Sequence, residues 1–315
     1  MHLKDKNIKS FIRLFLTGFF MGTADLIPGV SGGTVAFISG IYEELLFSIK
    51  KMSGRVLGLL IKIKFKEALT ETPIRFLVPL FLGIFFAVIS LAKLLSFLLQ
   101  SYPTFIWSFF FGLVLASTIL VAKRITKWNI SDIIIFVLFT LVGYFLVGSV
   151  PVETPESLLM FFGSGMLAIV AMILPGISGS FILLIIGKYS QVLDAVKDLN
   201  IGVLLAVMLG AVVGLALFSR VLSWLFAHHH NISIAALSGF MLGSVRKLWP
   251  WKETVLTRVN SHGEIVPLIE KNIFPQVFDL SVLLGIVLMA IGIGVIFYLD
   301  RLKLVHEEID DINQS

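Results

Sequence analysis

MGTADLIPGVSGGTVAFISGIYEELL, residues 21–46, lies inside an apolar run that starts near residue 12. Pro28-Gly29 and Ser31-Gly32-Gly33 interrupt it. Proline removes a backbone donor and clashes with the preceding turn, and glycine is a weak helix former. The helix is therefore predicted to stop here and start again. Segment 12–49 is also too long for one straight span, which needs about 20 apolar residues. A second long segment, 158–192, carries a matching break, Leu174-Pro175-Gly176-Ile177-Ser178-Gly179-Ser180.

The composition says what surrounds these breaks. Of 315 residues, 57% are hydrophobic and 14% charged, and the mean hydropathy is +0.98. Soluble domains carry about 25% charged residues. The expectation is an all-α integral membrane protein. No cysteine is present, which excludes disulfides and thiol chemistry. The net charge of +5 fits cytosolic loops that face anionic lipid, with no nucleic-acid partner. The start, MHLKDKNIKSFIRLF, is basic like the head of a signal peptide. The apolar run after it is too long for one, and no small-residue cleavage site follows. It is read as the cytosolic start of the mature chain.

The two breaks belong to a repeat. A shift of 147 places Pro28 on Pro175, Gly29 on Gly176, Ser31 on Ser178, Gly32 on Gly179, Gly18 on Gly165, Gly40 on Gly187 and Tyr42 on Tyr189. Beyond a 20-residue insertion in the basic stretch 51–75 the shift becomes 127. It then places Gly83 on Gly210, Lys93 on Arg220, Ser96 on Ser223 and Gly112 on Gly239. Repeat 1 covers 12–149: hairpin 12–49, basic cytosolic loop 50–75, and spans 76–100, 104–122 and 131–149. Repeat 2 covers 158–300: hairpin 158–192 and spans 202–227, 232–249 and 280–300. A cytosolic tail, 301–315, follows.

Positive charge sets the topology. Lys4, Lys6, Lys9 and Arg13 precede the first broken segment, and Lys50, Lys51, Arg55, Lys62, Lys64, Lys66 and Arg75 follow it. Both ends belong in the cytosol, so the segment enters the membrane and returns. Two half-helices of about 16 residues meeting at the break make a re-entrant hairpin of this kind. Alternation then gives six transmembrane helices and two re-entrant hairpins, with both termini cytosolic. Three spans per copy is an odd number, so the copies have opposite orientation, as in many secondary transporters. Loop 250–279 falls outside, in mild conflict with its Lys252, Arg258 and Lys271.

Non-helical backbone at membrane depth must line protein or water. A half-helix starting at Ser31-Gly32-Gly33 aims free N–H groups and a positive dipole end into that space. Ser31, Thr34, Ser178 and Ser180 add hydroxyls, so Ser31, Gly32, Gly33, Thr34, Ser178, Gly179 and Ser180 are candidate phosphate ligands. The competing reading is close helix packing by small residues. Lys93 and Arg220, repeat mates within spans, either help neutralise the phosphate or snorkel to the interface. Asp25 has Met172 as its mate. It either couples a proton, pairs with a cation, or caps a half-helix starting near Ile27. Glu43 and Glu44 are read as solvated or paired with Lys50 or Lys51, with proton coupling through Glu43 as the functional alternative. Tyr42 and Tyr189 are read as interfacial anchors. His228-His229-His230 is not read as a metal site, because adjacent histidines cannot all face one ion on a helix. No nucleophile–base pair or metal spacing occurs, so neither catalysis nor a cofactor is expected.

The stretch Gly22-Thr23-Ala24-Asp25-Leu26-Ile27-Pro28-Gly29-Val30-Ser31-Gly32-Gly33-Thr34, followed by Gly40-Ile41-Tyr42-Glu43, resembles the signature of the PopT family of bacterial polyprenyl-phosphate translocases. Leu174–Ser180 with Gly187-Lys188-Tyr189 resembles its second copy. The resemblance covers roughly residues 12–300. It implies return of undecaprenyl phosphate, the lipid carrier of cell-wall assembly, from the outer to the inner leaflet of the plasma membrane. On the residues alone, a channel or proton-coupled transporter for a small inorganic anion is the alternative. Oligomeric state is not legible.

Overall fold

The computed structural model describes residues 8–27, 30–152, 154–259 and 265–312. The chain opens with α1 (Ile8–Asp25), α2 (Gly32–Ile38) and α3 (Tyr42–Lys51). A π-helical turn, Met52–Val56, leads into α4 (Leu57–Ile61) and α5 (Phe65–Glu71). Three long helices follow: α6 (Ile74–Ser101), α7 (Pro103–Ala122) and α8 (Ile130–Val147). The second series begins with α9 (Leu158–Ile173), α10 (Gly179–Ile185), α11 (Tyr189–Lys197) and α12 (Ile201–His228). Next come α13 (His230–Ser244), prolonged by a 3-10 turn at Val245–Leu248, strands β1 (Lys252–Val259) and β2 (Ile265–Asn272), and α14 (Leu280–Ile312).

This is a mostly helical, multi-pass membrane protein. Among the described residues, five helices are long and apolar enough to cross a bilayer: α6, α7, α8, α12 and Leu280–Arg301 of α14. Their outward residues are apolar, as Phe81, Phe85 and Ile89 on α6 illustrate. The expected span 232–249 is the 15-residue α13 with its 3-10 turn.

Four expectations need correction. The broken segments are not two equal halves. A second corner at Gly40 (φ 75°) and Gly187 (φ 68°) cuts each returning limb to seven residues. Left-handed backbone of this kind suits glycine, which has no Cβ to clash. Beyond the corner, α10 and α11 bend by 109°. Loop 50–75 is largely helical, because its basic residues alternate with Val56, Leu57, Leu60 and Ile61 in an amphipathic pattern. Loop 250–279 contains a two-stranded sheet, so the fold is not purely α; Thr254, Val255 and Thr257 are β-branched and favour strand. Finally, α14 runs through most of the expected tail, to Ile312.

Two compact units make up the fold. The first holds the residues up to Leu95 together with Ser149–Ser233. Within it, α1 lies against α6 and α9 against α12, each pair in close backbone contact at glycines. Gly18 meets the backbone of Leu80, and Gly83 meets the carbonyl of Phe15. Gly165 meets the backbone of Val207, and Gly210 meets the carbonyl of Phe162. Moving along α1 from Gly18 to Gly22 shifts the contact on α6 from Leu80 to Ile84 and Ala87. Moving along α9 from Phe162 to Met166 shifts it on α12 from Gly210 to Gly214. Both pairs are therefore parallel.

The second unit holds Ser96–Gly148, Ile234–Arg258 and the chain from Ile265 onward. Its two helix pairs are also parallel. Gly112 of α7 meets Met289 of α14, and Gly292 meets Phe109 and Leu113. Gly239 and Gly243 of α13 meet Phe136 and Thr140 of α8. The sheet is tied to this unit by the Trp249 indole, which donates to the Ile273 carbonyl at 2.8 Å. Lys252 and Lys247 both reach Glu270 Oε2 at 3.4 Å, and the Lys252 ammonium stands 4.3 Å over the Trp107 ring. Burial pushes the Lys252 ammonium down to about 8, with Glu270 opposing the shift.

Candidate functional site

The first unit brings the two breaks into one neighbourhood. Ser31 leaves α-helical geometry with φ −123° and ψ 133°, as an N-cap residue does, and opens α2. Its hydroxyl accepts from the Gly33 N–H at 3.1 Å and donates to the Met172 carbonyl at 3.2 Å. Tyr42 donates to the neighbouring carbonyl, Ile173, at 3.0 Å. The positive start of α2 thus meets the negative end of α9, a favourable dipole arrangement. Tyr42 is buried against Phe37 and Phe226, which corrects its reading as an interfacial anchor.

Asp25 closes the first break. Its Oδ1 accepts from the Gly32 N–H at 2.7 Å. The helix it caps is α2, starting at Gly32, and not one starting near Ile27. A Cβ on Gly32 would lie 2.6 Å from Asp25 Oδ2, so the carboxylate explains that glycine. The Thr34 N–H donates to the Ser31 carbonyl at 2.9 Å. The amides of Gly32, Gly33 and Thr34 are therefore all engaged, against the expectation of free donors there. At this break the buried Thr34 hydroxyl is left without a partner among the described residues. Pro28 and Gly29 themselves lie outside the described residues.

The second break has the same cap and a different filling. Ser178 opens α10, and its hydroxyl accepts from the Phe181 N–H at 3.3 Å and meets the Ser180 hydroxyl at 3.2 Å. Met172 takes the place of Asp25: its Cγ would lie 2.8 Å from a Cβ on Gly179. A thioether is a weak acceptor. Among the described residues, the N–H groups of Gly179 and Ser180 have no hydrogen-bond partner. The asymmetry that sets Met172 opposite Asp25 in the repeat is thus an asymmetry of donors. One break has its first amide bonded to a carboxylate, and the other has its first two amides unpaired among the described residues.

The remaining candidates lie elsewhere. Glu43 is exposed on α3, with Oε1 3.9 Å from His230 Nδ1, and it does not pair with Lys51, which binds Glu71 instead. Arg220 is exposed on α12 with its guanidinium beside Gly54, in the π-helical turn. Lys93 is exposed on α6. Among the described residues, no cluster of histidines and acids is arranged to hold a metal.

Sequence reasoning missed Lys188, which is fully buried. Its ammonium donates to the Thr154 carbonyl at 2.9 Å and to Gln191 Oε1 at 2.7 Å, and stands 4.8 Å over the Phe161 ring. Gln191 in turn donates to Glu156 at 2.6 Å. These bonds fasten residues 154–156 to the α10–α11 corner. The available signal was its repeat mate, Ile41, an apolar residue at a position that demands burial.

Comparison with known proteins places residues 21–266 on the model of a family described as undecaprenyl phosphate translocase-like. A polyprenyl-phosphate transporter of Vibrio cholerae is 41% identical over 298 residues, covering 93% of this chain and 97% of that protein. A polyprenyl-phosphate transporter of Staphylococcus aureus is 32% identical over 256 residues, covering 75% of this chain and 85% of that protein. No solved structure matches.

Proposed function

We propose that this chain, which belongs to the undecaprenyl phosphate translocase-like family, carries undecaprenyl phosphate from the outer to the inner leaflet of the bacterial plasma membrane and so supports cell-wall synthesis. The relatives' names support the polyprenyl-phosphate substrate and a transporter rather than an enzyme. The observation that carries the reading is the open pair of donors at Gly179 and Ser180, opposite a first break already filled by Asp25. A phosphate supplies the acceptors these amides lack, and helix N-termini favour anions. Ser178 and Ser180 add hydroxyls. Ser31 and Gly33 hold the first break against α9, and Asp25 acts as its built-in anion.

The packing supports two inverted repeats with re-entrant hairpins. If α1–α3 crossed the membrane, α6 would start on the far side and run antiparallel to α1. It runs parallel, and α12 runs parallel to α9 in the same way. The contact of Gly18 with Leu80 recurs as Gly165 with Val207, at the offsets of 147 and 127 that the sequence repeat defines. The pairing of α7 with α14 recurs, with the copies exchanged, as α13 with α8. In this arrangement the hairpin with the open donors enters from outside, which suits uptake from the outer leaflet. The prenyl chain stays in lipid while the headgroup crosses.

Reconstituted vesicles test this directly. Vesicles loaded with labelled prenyl phosphate in one leaflet are expected to lose the asymmetry only when the protein is present, without release of inorganic phosphate. Flux of chloride or inorganic phosphate with no movement of the lipid would establish a small-anion transporter instead.

A further inference from the structure

The insertion between α3 and α6 has no counterpart in the second copy, where α11 ends at Lys197 and α12 begins at Ile201. Its π-helical turn lies on α12. A Cβ on Gly54 would meet Arg220 Nη2 at 3.7 Å and no other atom within 4 Å. Four residues on, Gly58 has no atom within 4 Å of its own Cβ position. The insertion thus sets a bare glycine, Gly54, beside the Arg220 guanidinium and leaves free space around Gly58 one turn on.

Arg220 forms no hydrogen bond or ion pair among the described residues, although Lys51 and Arg55 of the same neighbourhood are held by Glu71 at 3.0 and 2.7 Å. The Lys51 hydrogen bond holds the Glu71 carboxyl below its usual range, so that acid is committed to its own partners. Ser223 follows Arg220 by three residues and shares its helix face. Phe226, three further on, packs on Tyr42 of α3. The face that carries Arg220, Ser223 and Phe226 is therefore turned toward α3 and the insertion. The Ser223 hydroxyl is buried and has no partner among the described residues. A buried unpaired hydroxyl is destabilising, and a cation within a span needs a partner. A fork of guanidinium donors and a hydroxyl beside a bare glycine suit one ligand class. A phosphate monoester accepts from both, engages arginine through two oxygens, and can approach the backbone where no side chain intervenes.

We propose that Arg220 and Ser223, with Gly54 of the insertion against the guanidinium, form a second headgroup site for a phosphate monoester, separate from the break. It deepens the transport reading above and rests on it. The mate of Arg220 is Lys93, and the second copy has no insertion to set beside Lys93. The site therefore exists once, in the half of α12 that ends at His228, and gives an otherwise repeated fold a one-sided receiving point.

The test is calorimetric titration of the full chain in phosphatidylcholine nanodiscs, with a C15 prenyl phosphate and, separately, with inorganic phosphate. Wild type is expected to bind prenyl phosphate in two events. Arg220→Gln and Gly58→Leu should each remove one of them, or weaken it at least about tenfold, equivalent to about 1.4 kcal/mol. Met172→Asp should remove the other, and Lys62→Gln neither. Gly58→Leu enters open space, so an unchanged unfolding midpoint verifies its fold. The same loss with inorganic phosphate would make the bare phosphate group sufficient, and a loss confined to prenyl phosphate would make the lipid the ligand. Two unchanged events in both Arg220→Gln and Gly58→Leu would overturn the second site. Absence of any binding to wild type would instead overturn the transport reading.

Discussion

Met172→Asp is expected to abolish prenyl-phosphate transport while leaving the protein folded. Position 172 is the repeat mate of Asp25, and its side chain stands over Gly179 as Asp25 stands over Gly32. An aspartate there would accept from the Gly179 N–H, as Asp25 accepts from Gly32, and close the second break with the protein's own anion. It would also repel an incoming phosphate. Two like charges 4 Å apart cost about 4 kcal/mol at an effective dielectric constant of about 20. A loss of at least ~100-fold in initial rate is expected, since each 1.4 kcal/mol is about tenfold. Met172→Leu adds no charge and should transport like the wild type. A Met172→Asp protein that transports normally would move the headgroup away from Gly179 and Ser180.

The second large effect concerns packing. Gly83→Leu and Gly210→Leu are each expected to lower stability in detergent, by about 1–3 kcal/mol or more. The new Cβ would overlap the carbonyl of Phe15 in one case and of Phe162 in the other. Neither carbonyl can move without displacing its helix. Gly163→Leu is the control, because nothing lies within 4 Å of its Cβ position. The two damaging changes should match in size, because they strike the same contact in two copies. A tolerated Gly83→Leu beside a damaging Gly210→Leu would mean that the copies do not pack alike.

The long helices were readable because their signal is length and hydropathy. The ends of α6, α7, α8 and α12 fall within about two residues of the predicted spans, the usual uncertainty of helix boundaries. The helix restarts after Ser31 and Ser178 were readable from the Pro-Gly breaks, whereas the use of both serine hydroxyls as N-caps was not, because a serine at a break suits a ligand donor as well as a cap. The partner of Asp25 was not readable. Seven residues separate it from Gly32, and only the fold of the break brings carboxylate and amide together. Tyr42 misled for a similar reason. A tyrosine near the end of an apolar segment suits an interface, yet this one is drawn inward by a carbonyl of α9, 131 residues away. The second corner at Gly40 and Gly187 was visible only as a repeat match. A single glycine inside a helical pattern does not reveal its φ.

The central claim is that both broken segments leave the membrane on the side from which they enter, from opposite faces. The natural absence of cysteine makes this measurable with single cysteines and a membrane-impermeant maleimide. Cysteines replacing Ile8 and Lys62 flank the first hairpin, and cysteines replacing Val150 and Asp198 flank the second. The expected result is that positions 150 and 198 label in intact cells, whereas 8 and 62 label only after lysis. Labelling of 8 and 62 from opposite sides would make α1–α3 a full crossing and contradict the inverted re-entrant plan.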